Sequence, residues 1–208
     1  MRALFLPRPA AAELRRRLPR LLAGLVLFGL GAAAMVAADL GLGPWDVLHQ
    51  GLSRRSGVPI GTVGILVGLL VLAGWVPLRE RLGIGTVLNV LVIGAVVDLT
   101  LLVLATPVGL PGRVALMLAG PPLFGIGSAL YIGAGLGPGP RDGLMTGLAK
   151  RGWRIGVART AIEITVLVVG FALGGTAGIG TLLFAFSIGP LVHWWLPRCA
   201  LPPLPPRA

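Results

Sequence analysis

The chain has one cysteine and two histidines in 208 residues. Cys199 stands alone, so it can close no intrachain disulfide and offers no CxxC chemistry. So few soft and imidazole ligands argue against a transition-metal catalytic site, and neither a metal nor a cofactor is expected. GxSxG, HExxH and the Walker loop are also missing. Any catalytic centre would have to rest on scattered carboxylates, so the expectation is a protein that is not an enzyme. Charge is scarce as well. Charged residues are 12% of the chain, against roughly 25% in soluble domains.

That scarcity is uneven and leaves long windows almost free of charge, as a bilayer demands of helices of about 20 residues. Six windows stand out: Leu21–Leu40, Ile60–Val76, Ile84–Leu104, Val114–Ala134, Val157–Leu173 and Ile179–Trp195. The reading is an all-α multi-pass membrane protein with the lipid bilayer as its surroundings. Glycine is plentiful, 33 residues. Pairs such as Gly64/Gly68 and Gly170/Gly174 have the spacing that lets helices approach closely in lipid.

The formal net charge of +11 comes from the segments flanking these windows, which argues for positive-inside sorting rather than nucleic acid. With the N-terminus inside, the inner segments carry fifteen basic residues: Arg2, Arg8, Arg15, Arg16, Arg17, Arg20, Arg79, Arg81, Arg141, Lys150, Arg151, Arg154, Arg159, Arg198 and Arg207. The outer segments carry three, Arg54, Arg55 and Arg113. Both termini are therefore expected in the cytoplasm, with the protein in the cell membrane. The basic N-terminus leads into an uncleaved first span, and the run Arg15–Arg17 reads as an orientation signal contacting anionic lipid.

The sequence repeats itself. FGLG from Phe28 matches FGIG from Phe124, and GLGP from Gly41 (Gly41, Gly43, Pro44) matches GLGP from Gly135 (Gly135, Gly137, Pro138). Asp46 then answers Asp142, GLSRR answers GLAKR, and PIGTV from Pro59 has an echo in RIGVA from Arg154. Near the end of each half, LGIGTVLNVLVIG matches AGIGTLLFAFSIG at seven of thirteen positions, including Gly85, Thr86, Gly180 and Thr181. The chain divides into a basic segment 1–20, three-helix repeats at 21–105 and 111–196, and a Pro-rich tail 197–208. Three spans per half, an odd number, make the second half enter the membrane from the opposite side, giving an inverted-topology repeat.

The doubled GLGP-to-Asp stretch and the GxGT helix starts resemble the YczE-like membrane proteins of the YczE/YyaS/YitT group. The likeness covers about Gly24 to Trp195 and is nearer to YczE than to YitT-type members, which carry a soluble C-terminal domain. It implies an integral membrane protein of inverted-repeat build. It carries over no catalytic or binding residues.

Within each GLGP stretch, Gly and Pro end one helix and start another, and Asp46 or Asp142 falls where an acid favours a helix's positive end. Read structurally, these are well-capped interfacial helices. Read functionally, they are broken or re-entrant helices whose N–H groups face a solute. Arg141, beside Asp142, would suit an anionic solute. Glu163 lies about 12 Å into the fifth window, paired with Arg159 or serving as a substrate or proton-coupling site; its first-half counterpart is Gly68. Asp98 and its counterpart His193 lie nearer span ends. Asp98 either carries protons or caps the bundle, and His193 joins Trp194 and Trp195 in an interface belt. Asn89 could bond across helices, and Asp39 sits at a span end.

The leading expectation is a small-solute permease working by alternating access, with Asp46, Arg141, Asp142 and Glu163 as its binding residues. A non-transporting accessory or scaffold protein and a substrate-binding subunit of a larger importer are the alternatives. The composition leaves room for a homo-oligomer or another membrane partner.

Overall fold

The computed structural model describes residues 5, 6 and 9–204; Arg2, Arg8 and Arg207 of the charge tally lie outside them. Eight helices follow one another: α1 Ala11–Ala38, α2 Pro44–Ser56, α3 Ile60–Leu78, α4 Ile84–Leu101, α5 Leu110–Gly133, α6 Pro140–Ala149, α7 Ile155–Ala172 and α8 Ile179–Cys199. Six of these (α1, α3, α4, α5, α7 and α8) are long and apolar enough to cross a membrane. The protein is an all-α multi-pass membrane protein, and α2 and α6 are its two short helices.

Helix starts follow local chemistry. Pro44 and Pro140 open α2 and α6 at the first position, where a missing N–H costs nothing. Before α4 and α8, Thr86 Oγ1 accepts from the Gly83 N–H (3.2 Å) and Thr181 Oγ1 from the Gly178 N–H (3.1 Å). Each bond satisfies one of the amides a helix start leaves over.

α1 and α5 form the centre and run antiparallel. Gly24 of α1 lies against Gly127 of α5, and Gly31 against Gly120, close enough that a side chain at any of the four would collide with the partner helix. Such contacts replace the hydrophobic drive that lipid removes. The ends of this pair exchange arginines. Arg113 of α5 donates to the Ala38 (2.8 Å) and Asp39 (2.6 Å) carbonyls that end α1. Arg17 of α1 donates to the Ala134 carbonyl that ends α5 (2.9 Å). A cation at a helix C-terminus meets both the spare carbonyls and the negative end of the dipole.

Arg17 corrects a sequence expectation. Its residue is 2% exposed and also bonds Glu13 (2.8 Å) and the Pro202 carbonyl (2.6 Å). It is a structural cap rather than a lipid-facing signal. Helix α1 accordingly begins at Ala11, so the second half of the basic segment 1–20 belongs to the first long helix. Beyond α8 the tail is extended and turns back onto α5, with the Leu201 N–H donating to Gly133 (2.9 Å).

The order long, short, long, long recurs, and so do backbone conformations. Asp39 and Gly135 are both left-handed (φ 48° and 64°), as are Gly41 and Gly137 (φ 115° and 127°). Gly43 and Gly139 are the extended residues just before α2 and α6. The two GLGP tetrapeptides are therefore not counterparts. Gly41–Pro44 answers Gly137–Pro140, two residues later than the letters suggest. The register is set by where the chain turns left-handed and where the helix-opening proline falls.

Candidate functional site

Helices of both halves line a cavity of about 460 Å3. Phe28, Phe124, Tyr131 and Phe184 form an edge-to-face chain on its wall, with Phe28–Phe124 centroids 4.3 Å apart and Phe124–Phe184 4.9 Å apart. The N-terminal halves of α2 and α6 deliver Trp45, Asp46, His49, Arg141 and Asp142 to it.

Three of the four candidate residues meet near the two short helices. Arg141 reaches across from α6 to Asp46 of α2 (3.8 Å) and lies over the Trp45 ring (4.9 Å). His49, one turn along α2, faces Asp46 at 3.5 Å. Burial pushes the Asp46 carboxyl up, but His49 and the Arg141 charge pull it down further, so it stays an anion below the ordinary carboxylate range. Burial holds the His49 ring below its usual value, aided by Arg141, despite the pull of Asp46. Asp142 is treated differently: it accepts a hydrogen bond from the Tyr131 hydroxyl (3.1 Å) and makes no ion pair among the described residues. The Trp45 indole N–H is buried and has no hydrogen-bond partner among the described residues.

Glu163 also lines the cavity, away from the short-helix ends. It pairs with Arg159 at 3.0 Å, both side chains partly exposed. Asn89 lines the cavity and lies beside Gly139 and Asp142 without a hydrogen bond of its own. The repeat-motif residues are backbone pieces: the Gly85 N–H donates to the Leu136 carbonyl and the Gly180 N–H to Leu40, both at 2.9 Å. Asp39 is held at the end of α1 by Arg113 (3.2 Å) and Arg54 (3.5 Å), away from the cavity.

Asp98 caps α3. Its carboxylate accepts from the N–H groups of Gly61 (2.6 Å) and Thr62 (2.7 Å) and from the Thr62 hydroxyl (2.7 Å). It thereby seals α3 onto α4, where Gly61 and Gly94 meet backbone to backbone. The corresponding place in the second half is open. α7 packs on α2 and α6 but makes no comparable packing with α8. A side chain at Gly156 or Gly189 would meet empty space, and His193 is exposed. Glu163, Gly189 and His193 line the cavity along this gap. Of the glycine pairs named for packing, Gly170 admits the backbone of α2, while Gly174 touches nothing.

Sequence reading missed Trp45 and His49 as cavity residues, along with Ser128 and Tyr131. The first two carried a usable signal, being one residue before and three after Asp46 on a short helix. Tyr131 carried none, because only the turn of the chain between α5 and α6 sets its hydroxyl against Asp142.

A family model described as "Family of unknown function (DUF6198)" matches residues 15–197. An "Uncharacterized protein" of Haemophilus influenzae is 43% identical over 187 residues, 89% of this chain and 86% of that one. The "Uncharacterized membrane protein YczE" of Bacillus subtilis is 33% identical, covering 85% of this chain and 83% of its own. The "Uncharacterized protein YyaS" of the same organism is 28% identical over 84% of this chain and 89% of its own. These relatives bear out the resemblance to the YczE-like group. No solved structure matches.

Proposed function

The chain belongs to that family, and we propose that it is a small-solute permease working by alternating access of two three-span repeats of opposite orientation. The observation that carries the reading is the pair of equivalent seams around one cavity, α3/α4 shut and α7/α8 open. Supporting it, α1 and α5 are antiparallel and each half supplies three spans, so the first span of each half would enter the bilayer from opposite sides. The exchanged arginine caps and the matched left-handed residues fit a pseudo-two-fold relation between the halves.

Under the positive-inside orientation, the α3/α4 seam closes the outer side and the α7/α8 gap leads inward. Swinging α7 onto α8 would bring Gly156 and Gly189 together as Gly61 and Gly94 already are. Parting α3 from α4 would then expose the cavity outward. The first turns of the short α2 and α6 would face the cavity from both repeats, each with its own acid, Asp46 or Asp142, at the helix's positive end. The protein itself is not an enzyme in this reading.

The test uses protein with Cys199→Ser and single cysteines at Gly156 and Gly189. Mild oxidation should bridge the pair and reduction release it, because the gap must close in each cycle. A pair that never cross-links would mark the gap as fixed and defeat the permease reading. The orientation is checked separately with Ser56→Cys and Arg154→Cys in intact cells. An impermeant thiol reagent should label the first alone, and labelling of both would refute the inverted arrangement.

A further inference from the structure

The cavity is acidic on balance, and the imbalance has one address. Its charged lining consists of Asp46, Asp142 and Glu163 against Arg141 and Arg159. Arg159 pairs with Glu163 and Arg141 with Asp46. Asp142 accepts from the Tyr131 hydroxyl and, among the described residues, makes no ion pair.

The reason lies in how the two halves differ at a single position. Asp46 and Asp142 are counterparts, and so are the residues just before them, Trp45 and Arg141. Arg141 of the second half serves the carboxylate of the first. By the same relation residue 45 would serve Asp142, but it is an uncharged tryptophan. Carboxylates inside a membrane protein usually pair with an opposite charge. Among the described residues Asp142 makes no ion pair, and the cavity is lined by the aromatic residues Phe28, Phe124, Tyr131 and Phe184, a class of side chain that attracts cations. Trp45 adds an independent sign. It is 6% exposed and lines the same cavity, yet its N–H donates to nothing among the described residues.

We infer that the cavity is a binding site for a small organic cation with an apolar body, its ammonium group beside Asp142. An acceptor atom elsewhere on the ligand would take the Trp45 N–H. The inference rests on the repeat relation used in the permease reading, and it reverses the charge that Arg141 suggests in the sequence. Arg141 is held by Asp46 and by the Trp45 ring, so an anion would first have to break that arrangement.

The experiment compares two probes of similar size, benzyltrimethylammonium and phenylacetate, by calorimetric titration of the purified protein in detergent. Benzyltrimethylammonium should bind saturably and phenylacetate at least about ten-fold more weakly, as expected when one opposite charge lies within ion-pair reach in a partly desolvated site. Asp142→Asn should weaken the cation at least about ten-fold and bring the two probes together. Glu163→Gln should change cation binding less than Asp142→Asn does. Stronger binding of phenylacetate, or saturable binding of neither probe, overturns the inference. Because wild-type charge preference is itself decisive, the test survives an Asp142→Asn protein that does not fold. Cation binding without cross-linking of α7 to α8 would leave the site standing and remove the permease. Cross-linking together with preference for phenylacetate would do the reverse.

Discussion

The α3/α4 seam and the α7/α8 gap are built from equivalent helices with equivalent glycines, yet one is shut and the other open. In the first, Asp98 receives both amides at the start of α3 and the Thr62 hydroxyl, holding Gly61 against Gly94. In the second, Val157 replaces Thr62 and His193 replaces Asp98, so neither the carboxylate nor the hydroxyl is present to latch the pair. Backbone shape lets helices meet, and a few polar side chains at their ends decide which pair does. Gly156 and Gly189 keep the capacity for close approach without the latch, as a closing and reopening contact requires.

The largest expected contrast is steric. Gly94→Leu should wedge the shut seam and cost at least ~3 kcal/mol, whereas Gly189→Leu, pointing into open space, should fold within ~0.5 kcal/mol of the parent. Denaturant titration in detergent reads both, and equal losses would show the two sites to be packed alike. Next comes the latch. Asp98→Ala leaves two helix-start amides unpaired and should cost ~2–3 kcal/mol, while His193→Ala should move stability by less than ~0.5 kcal/mol. A destabilising His193→Ala would mean that the gap is shut in solution.

A smaller contrast separates the exchanged caps. Arg17→Ala strips the buried cap from α5 and should cost ~2 kcal/mol, against ~1 kcal/mol for Arg113→Ala, whose side chain is 27% exposed. Thermal melts of the two variants check the order, and a reversed order would place the weight at the other end of the α1/α5 pair. The smallest effect is expected at Glu163. Its pair with Arg159 is part-exposed, so Glu163→Gln should change stability by no more than ~0.5 kcal/mol. A loss of several kcal/mol would make it a buried structural pair instead.

Much of the fold was legible beforehand because the bilayer imposes a coarse and simple rule. All six apolar windows became helices, with Ile60, Ile84 and Ile179 starting α3, α4 and α8 as read. Ends carrying polar groups were harder. Arg15–Arg17 looks like any flanking basic run, and only the carbonyls ending α5 make Arg17 an interior residue. The GLGP register misled for a related reason: identical letters fell two residues apart in backbone role. Asp46 and Asp142, and Phe28 and Phe124, already held the true spacing of 96. The candidate site was half legible, since Asp46, Arg141 and Asp142 do line one cavity together. Which acid Arg141 would choose was not, because that depends on α2 and α6 approaching from opposite halves.

By itself the sequence determined that this chain lies in a membrane, how many helices can cross it, and which short motifs recur along it. Those properties follow from local chemistry: apolar length, proline and glycine punctuation, and the scarcity of charge. Tertiary structure alone decided that α1 and α5 exchange arginine caps, that one seam is shut and its twin open, and that Asp46 has an ion-pair partner where Asp142, among the described residues, has none. Each depends on side chains far apart in the chain meeting at a geometry of a few ångströms, and hydrogen bonds and ion pairs are set by that geometry rather than by composition.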